Sequence, residues 1–349
     1  MTMPRKYWII AIAIPLLLAA ADGAYWRIVT ERLRTGFQNW RAGQAAGGWI
    51  AQTGPLSAGG WPTTAVLIVP NLTLHHTGPR APGDVDIASA AVTLSVSLLD
   101  PSTFRLSLTG PVHVRTAGVP DLIVTSDEAS LLMSLLQNGP VSASFHASGL
   151  RLEAATGAWH ATAGLLNANA GIAAGTRSGD SNPAAIFSVA AEAIALPASI
   201  KWPLGANLSS VSMDGRLNGE LSRTGTIAQA AAAWRDGGGS MEITHFAMGW
   251  GPLGLTGSAT LALDDQLQPM GSGNARIAGY ADTLDRLAAA GMLTKSVATA
   301  AKAILSLMAG TSDSDEASSV DVPLTLQYRT LSMRQVPLVR FPELDWPSP

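Results

Sequence analysis

The stretch "MGWGPLGLTGSATLALDDQLQPMGSGNARIAGY", residues 248–280, decides how the rest of the chain is read. Its glycines invite comparison with a ligand loop. A phosphate loop gathers backbone amides at the start of a helix, and this spacing does not. From Leu253 the odd positions are Leu253, Leu255, Gly257, Ala259, Leu261 and Leu263, while the even positions are Gly254, Thr256, Ser258, Thr260 and Ala262. A period of two predicts a strand with one apolar face. "DDQLQP" supplies a connection, with Asp264 and Asp265 marking a turn. Gly273, Ala275, Ile277 and Gly279 then form one side of a return strand. Met241 to Gly249 alternates in the same way, so the three segments predict a β-meander, closed by a helix starting near Asp282. Glycines inside strands ease twist and permit close backbone approach. Leu253, Leu255, Leu261 and Leu263 therefore either pack on helices as core or line an apolar groove.

The same alternation recurs at residues 65–74, 87–98, 104–116, 141–154, 158–172, 211–221 and 322–333, each bounded by turn formers. Helices are fewer. "TSDEASLLMSLLQNG" (125–139) opens on a capping box, Thr125 to Glu128, and closes on Asn138-Gly139. "TIAQAAAAWRDGG" (226–238) has Thr226 and Gln229 in the same relation. Two helices are expected between Asp282 and Met308, broken near Gly291 and restarted at Thr294. The second is expected to bury Val297, Ala300, Ala301, Ile304 and Met308. Residues 310–319 read as a polar loop. The fold class is mainly β (α+β): an N-terminal membrane helix, then a curved antiparallel β-sheet structure with a few inserted helices.

At the N-terminus Arg5 and Lys6 precede an apolar run whose ends are marked by Tyr7-Trp8 and Tyr25-Trp26. That separation, at about 1.5 Å per residue, is roughly 27 Å, close to the hydrocarbon thickness of a bilayer. Aromatic pairs favour the two interfaces, Pro15 is tolerable as a kink in a membrane helix, and Asp22 lies where it reaches water. Tyr7, Trp8, Pro15, Tyr25 and Trp26 are the expected anchor residues. The competing reading is a cleaved signal peptide with Ala19-Ala20-Ala21 as its cleavage site, leaving a soluble periplasmic protein. Beyond it Trp26, Val29, Leu33, Phe37 and Trp40 recur at helical spacing, predicting an amphipathic stem to about Ala46 that packs on the following domain or, alternatively, lies on the membrane surface. The expected parts are an anchor (1–26), a stem and linker (27–60), a β-rich part (61–225), and a meander with helices (226–349).

Composition narrows the chemistry. Charged residues are 13% of the 349, hydrophobic ones 47%, and the net charge is −3. There is no basic footprint for nucleic acid, and the absence of cysteine excludes disulfides, thiolate metal sites and cysteine nucleophiles. His75 and His76 are adjacent on a strand and so face opposite ways. His113, His146, His160 and His245 have no metal-type partner at helical spacing. "GSGNAR" (271–276) has Arg276 where a dinucleotide fingerprint needs its third glycine. Asp313, Asp315 and Glu316 alternate like calcium ligands but lack the glycine turn and terminal glutamate of an EF-hand. No catalytic, metal-binding or cofactor-binding residue is assigned, and no cofactor is expected.

Gly60-Trp61-Pro62 and the block from Ala232 to Leu293, with its W-G-P-L (250–253) and G-x-x-x-L-x-L-D (257–264), resemble an alphaproteobacterial family defined as domain of unknown function 2125. The resemblance carries no functional residues. It implies an anchored, β-rich periplasmic protein similar in layout to AsmA-like envelope proteins, which are linked to outer-membrane assembly and lipid movement. The expected function is therefore a non-enzymatic inner-membrane-anchored envelope protein with lipid as its candidate partner. The alternatives are a scaffold that holds other envelope proteins without lipid cargo and, third, an unrecognised hydrolase. An uncleaved anchor predicts that intact-mass measurement of the exported protein returns the full chain. A product lacking residues 1–21 identifies a signal peptide instead.

Overall fold

A computed structural model describes residues 5–46, 48–77, 84–116, 119–134, 141–173, 183–222, 226–309, 319–333 and 336–346. Among them strands dominate, helices are few, and the strand pairings are antiparallel. The chain divides into two compact units. The first comprises Met1–Asp121 and Glu128–Gln137, the second Leu122–Asp127 and Asn138–Pro349.

In the first unit helix α1 (Arg5–Ala46) precedes strands β1 (Trp49–Gln52), β2 (Ser57–Gly59), β3 (Thr64–His76), β4 (Val85–Ser97) and β5 (Thr103–Thr116). After them come β6 (Val119–Thr125), whose last four residues belong to the second unit, and β7 (Glu128–Ser134). Strand β3 is central: β4 lies along one side, while β1 and β2 share the other edge. Strands β5 and β7 extend the sheet beyond β4. Alternation places Ala65, Leu67 and Val69 on one face, all at 0% exposure, directly opposite Val96, Leu94 and Val92. Helix α1 lays Val29, Leu33 and Phe37 on this face and so completes the core. Its apolar stripe is consumed by packing on the unit that follows it in sequence. Trp26 donates through Nε1 to the Gly59 carbonyl at 3.1 Å, just ahead of the Gly60-Trp61-Pro62 turn, and Trp40 stacks on Phe37.

Two N-terminal expectations meet the structure differently. Among the described residues no helix is long and apolar enough to cross a membrane. The side chains of residues 1–13, Tyr7 and Trp8 among them, lie outside the described residues, while Pro15 sits inside α1 and Ile14, Leu16, Leu17 and Leu18 are exposed on it. Asp22 is half-buried: its Oδ2 is shut off from solvent and has no hydrogen-bond partner among the described residues.

The second unit is an up-and-down meander in which each strand from β8 onward pairs with its successor. Its strands are β8 (Val141–Ala154), β9 (His160–Ile172), β10 (Ala185–Ala195) and β11 (Asn207–Asn218). After helix α2 (Ile227–Asp236) come β12 (Ser240–Trp250), β13 (Leu253–Leu263) and β14 (Pro269–Ala278). Helices α3 (Tyr280–Ala289) and α4 (Lys295–Ala309) follow, then β15 (Ser319–Gln327), β16 (Thr330–Met333) and β17 (Val336–Arg340). The expected meander at 241–279 is present, as is the capping box of α2, where Thr226 and Gln229 each accept from the other's backbone N–H. Gly279 makes the strand-to-helix corner at φ +66°, where a Cβ would run into the Pro252 carbonyl. The Asp264-Asp265 turn is a junction. Asp264 Oδ1 accepts from the Gln266 and Gln268 amides, and Arg235 donates to the Asp264 and Asp265 carbonyls. The buried Gln268 side chain bonds both backbone groups of Leu344, and Trp346 donates to the Leu267 carbonyl, so the C-terminal tail is strapped to the same turn.

Three local expectations are overturned. Residues 128–134 are strand, not helix: β7 pairs with β5, setting Leu131 opposite Leu106 and burying Ala129 and Ser130, and this ladder outweighs the capping signal. Residues 135–139 of that expected helix lie outside the described residues. The segment 322–333 is two strands, because Tyr328 and Arg329 both take left-handed conformations and reverse the chain. On α4 the inward face carries Ala298 and Leu305 instead of Val297, Ala300 and Ile304, all of which are exposed. Apolar residues occur on both faces of this helix, so spacing did not single out the buried one; the Met308 side chain lies outside the described residues. Deleting the ring that ties α1 to β3 and β4 tests the first unit: Phe37→Ala is expected to cost about 3 kcal/mol in denaturant unfolding.

Candidate apolar binding face

Strand register sets the character of each face in the second unit. On β13, Leu255 stands opposite Met248 of β12 on one side and Ile277 of β14 on the other. Met248 is opposite Val211, Val211 opposite Ala191, and Ala191 opposite Leu166. A parallel rank runs through Ile172, Leu217, Met241, Leu261 and Leu326 by way of Ala185 and Gly271. Between these ranks lie Phe145, Phe187, Val189, Met213, Ile243 and Phe246, with Gly257, Ala259, Gly273 and Ala275 continuing across β13 and β14. One face of β8–β14 is thus apolar from edge to edge.

That face is only half covered. Val189 and Ile172 are 39% and 41% exposed, and Leu253, Leu255, Leu261 and Leu263 are all half-buried. The unit's buried apolar cluster lies at its other end, where Tyr280, Val320 and Val322 meet Ile277, Leu305, Leu324 and Met333. Helices α3 and α4 pack there, against β13 and β15. Among the described residues no buried apolar cluster forms on β8–β12.

The opposite face is polar. Arg216 pairs with Glu242 at 2.6 Å, and Asn218 reaches the same carboxylate at 2.9 Å. Arg276 holds Asp321 through two bonds of 2.9 Å. The guanidinium beside it lowers the Asp321 carboxyl below its ordinary value. An open hollow of about 470 Å³ lies on this face, lined by Glu242, Ser258, Thr260, Ser272, Asn274 and Thr325 among others. It therefore lies on the other side of the sheet from the apolar ranks.

The histidines stay apart. His75 contacts Asp86 across the β3–β4 ladder, His76 is buried beside the Trp49 ring, and His146 bonds Asn167 at 2.8 Å. Among the described residues no three His, Asp or Glu side chains gather as a metal site. Asp313, Asp315 and Glu316 lie outside the described residues. Of the expected anchor residues with described side chains, Tyr25 is 40% exposed on α1 and Trp26 is turned onto the first unit. Strand β10, which contributes Phe187 and Val189, was not legible in the sequence. In "AIFSVAAEAIA" alanines occupy both faces and blunt the alternation.

The model of a family described as an uncharacterized protein conserved in bacteria (DUF2125) matches residues 26–342. No curated protein and no solved structure matches the chain.

The Arg276–Asp321 pair gives a pH test of the polar face. A lowered folded-state value means that the pair contributes stability above pH 3.8, the ordinary carboxyl value, and that this is lost as pH falls through the folded value. Carbon-detected NMR titration of the Asp321 carboxyl is expected to show a midpoint below 3.8 that returns toward it in Arg276→Met.

Proposed function

The chain belongs to the DUF2125 family of uncharacterised bacterial proteins, and we propose that this member is a non-enzymatic envelope protein that holds lipid acyl chains on the uncovered apolar face of its second unit. The observation carrying this reading is that Met248, Phe246, Met213, Phe187 and their neighbours form continuous apolar ranks and that, among the described residues, no buried apolar cluster forms over β8–β12. Each methylene of an acyl chain removed from water there is worth about 0.8 kcal/mol, so a chain of ordinary length gains several kcal/mol without any polar recognition. A face without charged groups selects for apolar cargo and imposes little further selectivity.

In this reading residues 1–26 attach the protein to the inner membrane and the rest of the chain lies in the periplasm. The exposed Ile14, Leu16, Leu17 and Leu18 support attachment, since among the described residues they belong to neither buried cluster of the first unit. A membrane-attached N-terminus ahead of a long antiparallel sheet is also the layout of AsmA-like envelope proteins. That likeness is an analogy of architecture and supports the reading only as such.

Full-length protein purified in mild detergent is expected to carry co-purifying phospholipid by native mass spectrometry. The double variant Phe246→Glu/Leu255→Glu, checked for folding by circular dichroism, is expected to carry little. Lipid-free protein across several preparations, with crosslinks to envelope proteins alone, replaces the lipid reading with that of a scaffold.

A further inference from the structure

The loop from β10 to β11, "LPASIKWPLGA" (196–206), is built unlike an ordinary solvated connection. It contains no acidic residue. Ile200 is 53% exposed at its tip, and Lys201 beside it is exposed. The loop is nevertheless braced. Trp202 donates through Nε1 to the Pro197 carbonyl at 2.9 Å, and Trp250 donates to the Gly205 carbonyl at 2.7 Å. The two indoles meet edge to face at 6.2 Å, and Leu204 is buried. The W-G-P-L turn at 250–253 receives this loop: Gly251, at φ +56°, leaves room for the Leu204 carbonyl that a Cβ would strike. The Arg286 guanidinium lies by the same glycine, adding a second cation at this end of the sheet.

A rigid loop cannot fold its isoleucine away, so the exposure of Ile200 is held in place by the bracing. An aliphatic tip, an indole just behind it and an adjacent lysine together match the interfacial zone of a bilayer. The aliphatic group enters the acyl boundary, the indole sits at headgroup depth, and the ammonium meets phosphate. Trp250 stands opposite Leu253 and Leu208, so the braced loop is continuous with the end of the apolar ranks.

We propose that the 196–206 loop docks the second unit onto an anionic bilayer surface, inserting Ile200 with Lys201 on the headgroups, so that the apolar face opens toward lipid. This rests on the lipid-binding reading for its purpose but not for its test. The absence of cysteine allows single-site labelling of the full chain. Ile200→Cys and, separately, Leu261→Cys are labelled with an environment-sensitive fluorophore. The protein is held in nanodiscs and mixed with phosphatidylcholine vesicles containing phosphatidylglycerol and a headgroup nitroxide lipid.

Docking predicts quenching at position 200, and Lys201→Glu is expected to raise the half-saturating lipid concentration by about fivefold or more. Quenching at 261 but not at 200 overturns docking and leaves acyl binding standing. Quenching at 200 but not at 261 supports docking and sinks the acyl-binding reading. Quenching at 200 that is equal with purely zwitterionic vesicles and unmoved by Lys201→Glu overturns the proposal.

Discussion

The register of the antiparallel ladder is the constraint on which the second unit depends. Each strand from β8 to β15 is paired with its immediate successor, and the side-chain period along a strand is two residues. A shift of one residue at any pairing would carry that strand's leucines to the polar side. The register is held through irregularities as well as regular pairs. The bulge at Thr244–His245 absorbs an extra residue so that Phe246 and Ile243 both remain with the apolar set.

The two units solve the problem of an apolar sheet face in opposite ways. In the first, Leu67, Val69 and Ala65 are completely shielded because a single long helix brings Val29, Leu33 and Phe37 onto them. In the second, α3 and α4 cover only the end near β15, while the ranks from β8 to β12 stay half open. A protein that needed only stability would gain by covering those ranks too. That difference within one chain is the observation on which the proposed lipid reading rests.

The motifs singled out in the sequence serve structural contacts in this chain. Gly60-Trp61-Pro62 follows the carbonyl that Trp26 of α1 binds, and W-G-P-L forms the corner that accepts the 196–206 loop. The aspartate that ends G-x-x-x-L-x-L-D, Asp264, organises the turn to which α2 and the C-terminal tail are fastened. The chemistry of these motif positions is that of corners and junctions, where glycine's conformational range and a carboxylate's capacity to accept backbone N–H groups are needed.

Sequence alone determined the elements whose signals are local. The alternation of 253–263 is strand β13 residue for residue, the Thr226–Gln229 box caps α2, and the Trp26–Phe37 stripe is the packed face of α1. Period and capping depend on neighbours a few positions away, so they survive in a single chain read by itself. Tertiary structure decided what depends on distant partners. It turned 128–134 into a strand through its ladder with β5, rotated α4 so that Leu305 faces the sheet, and left Leu255 and Leu261 half-buried, a degree of cover that their spacing does not specify. Alternation says that a strand has an apolar face; only the placement of the other elements says whether anything covers it.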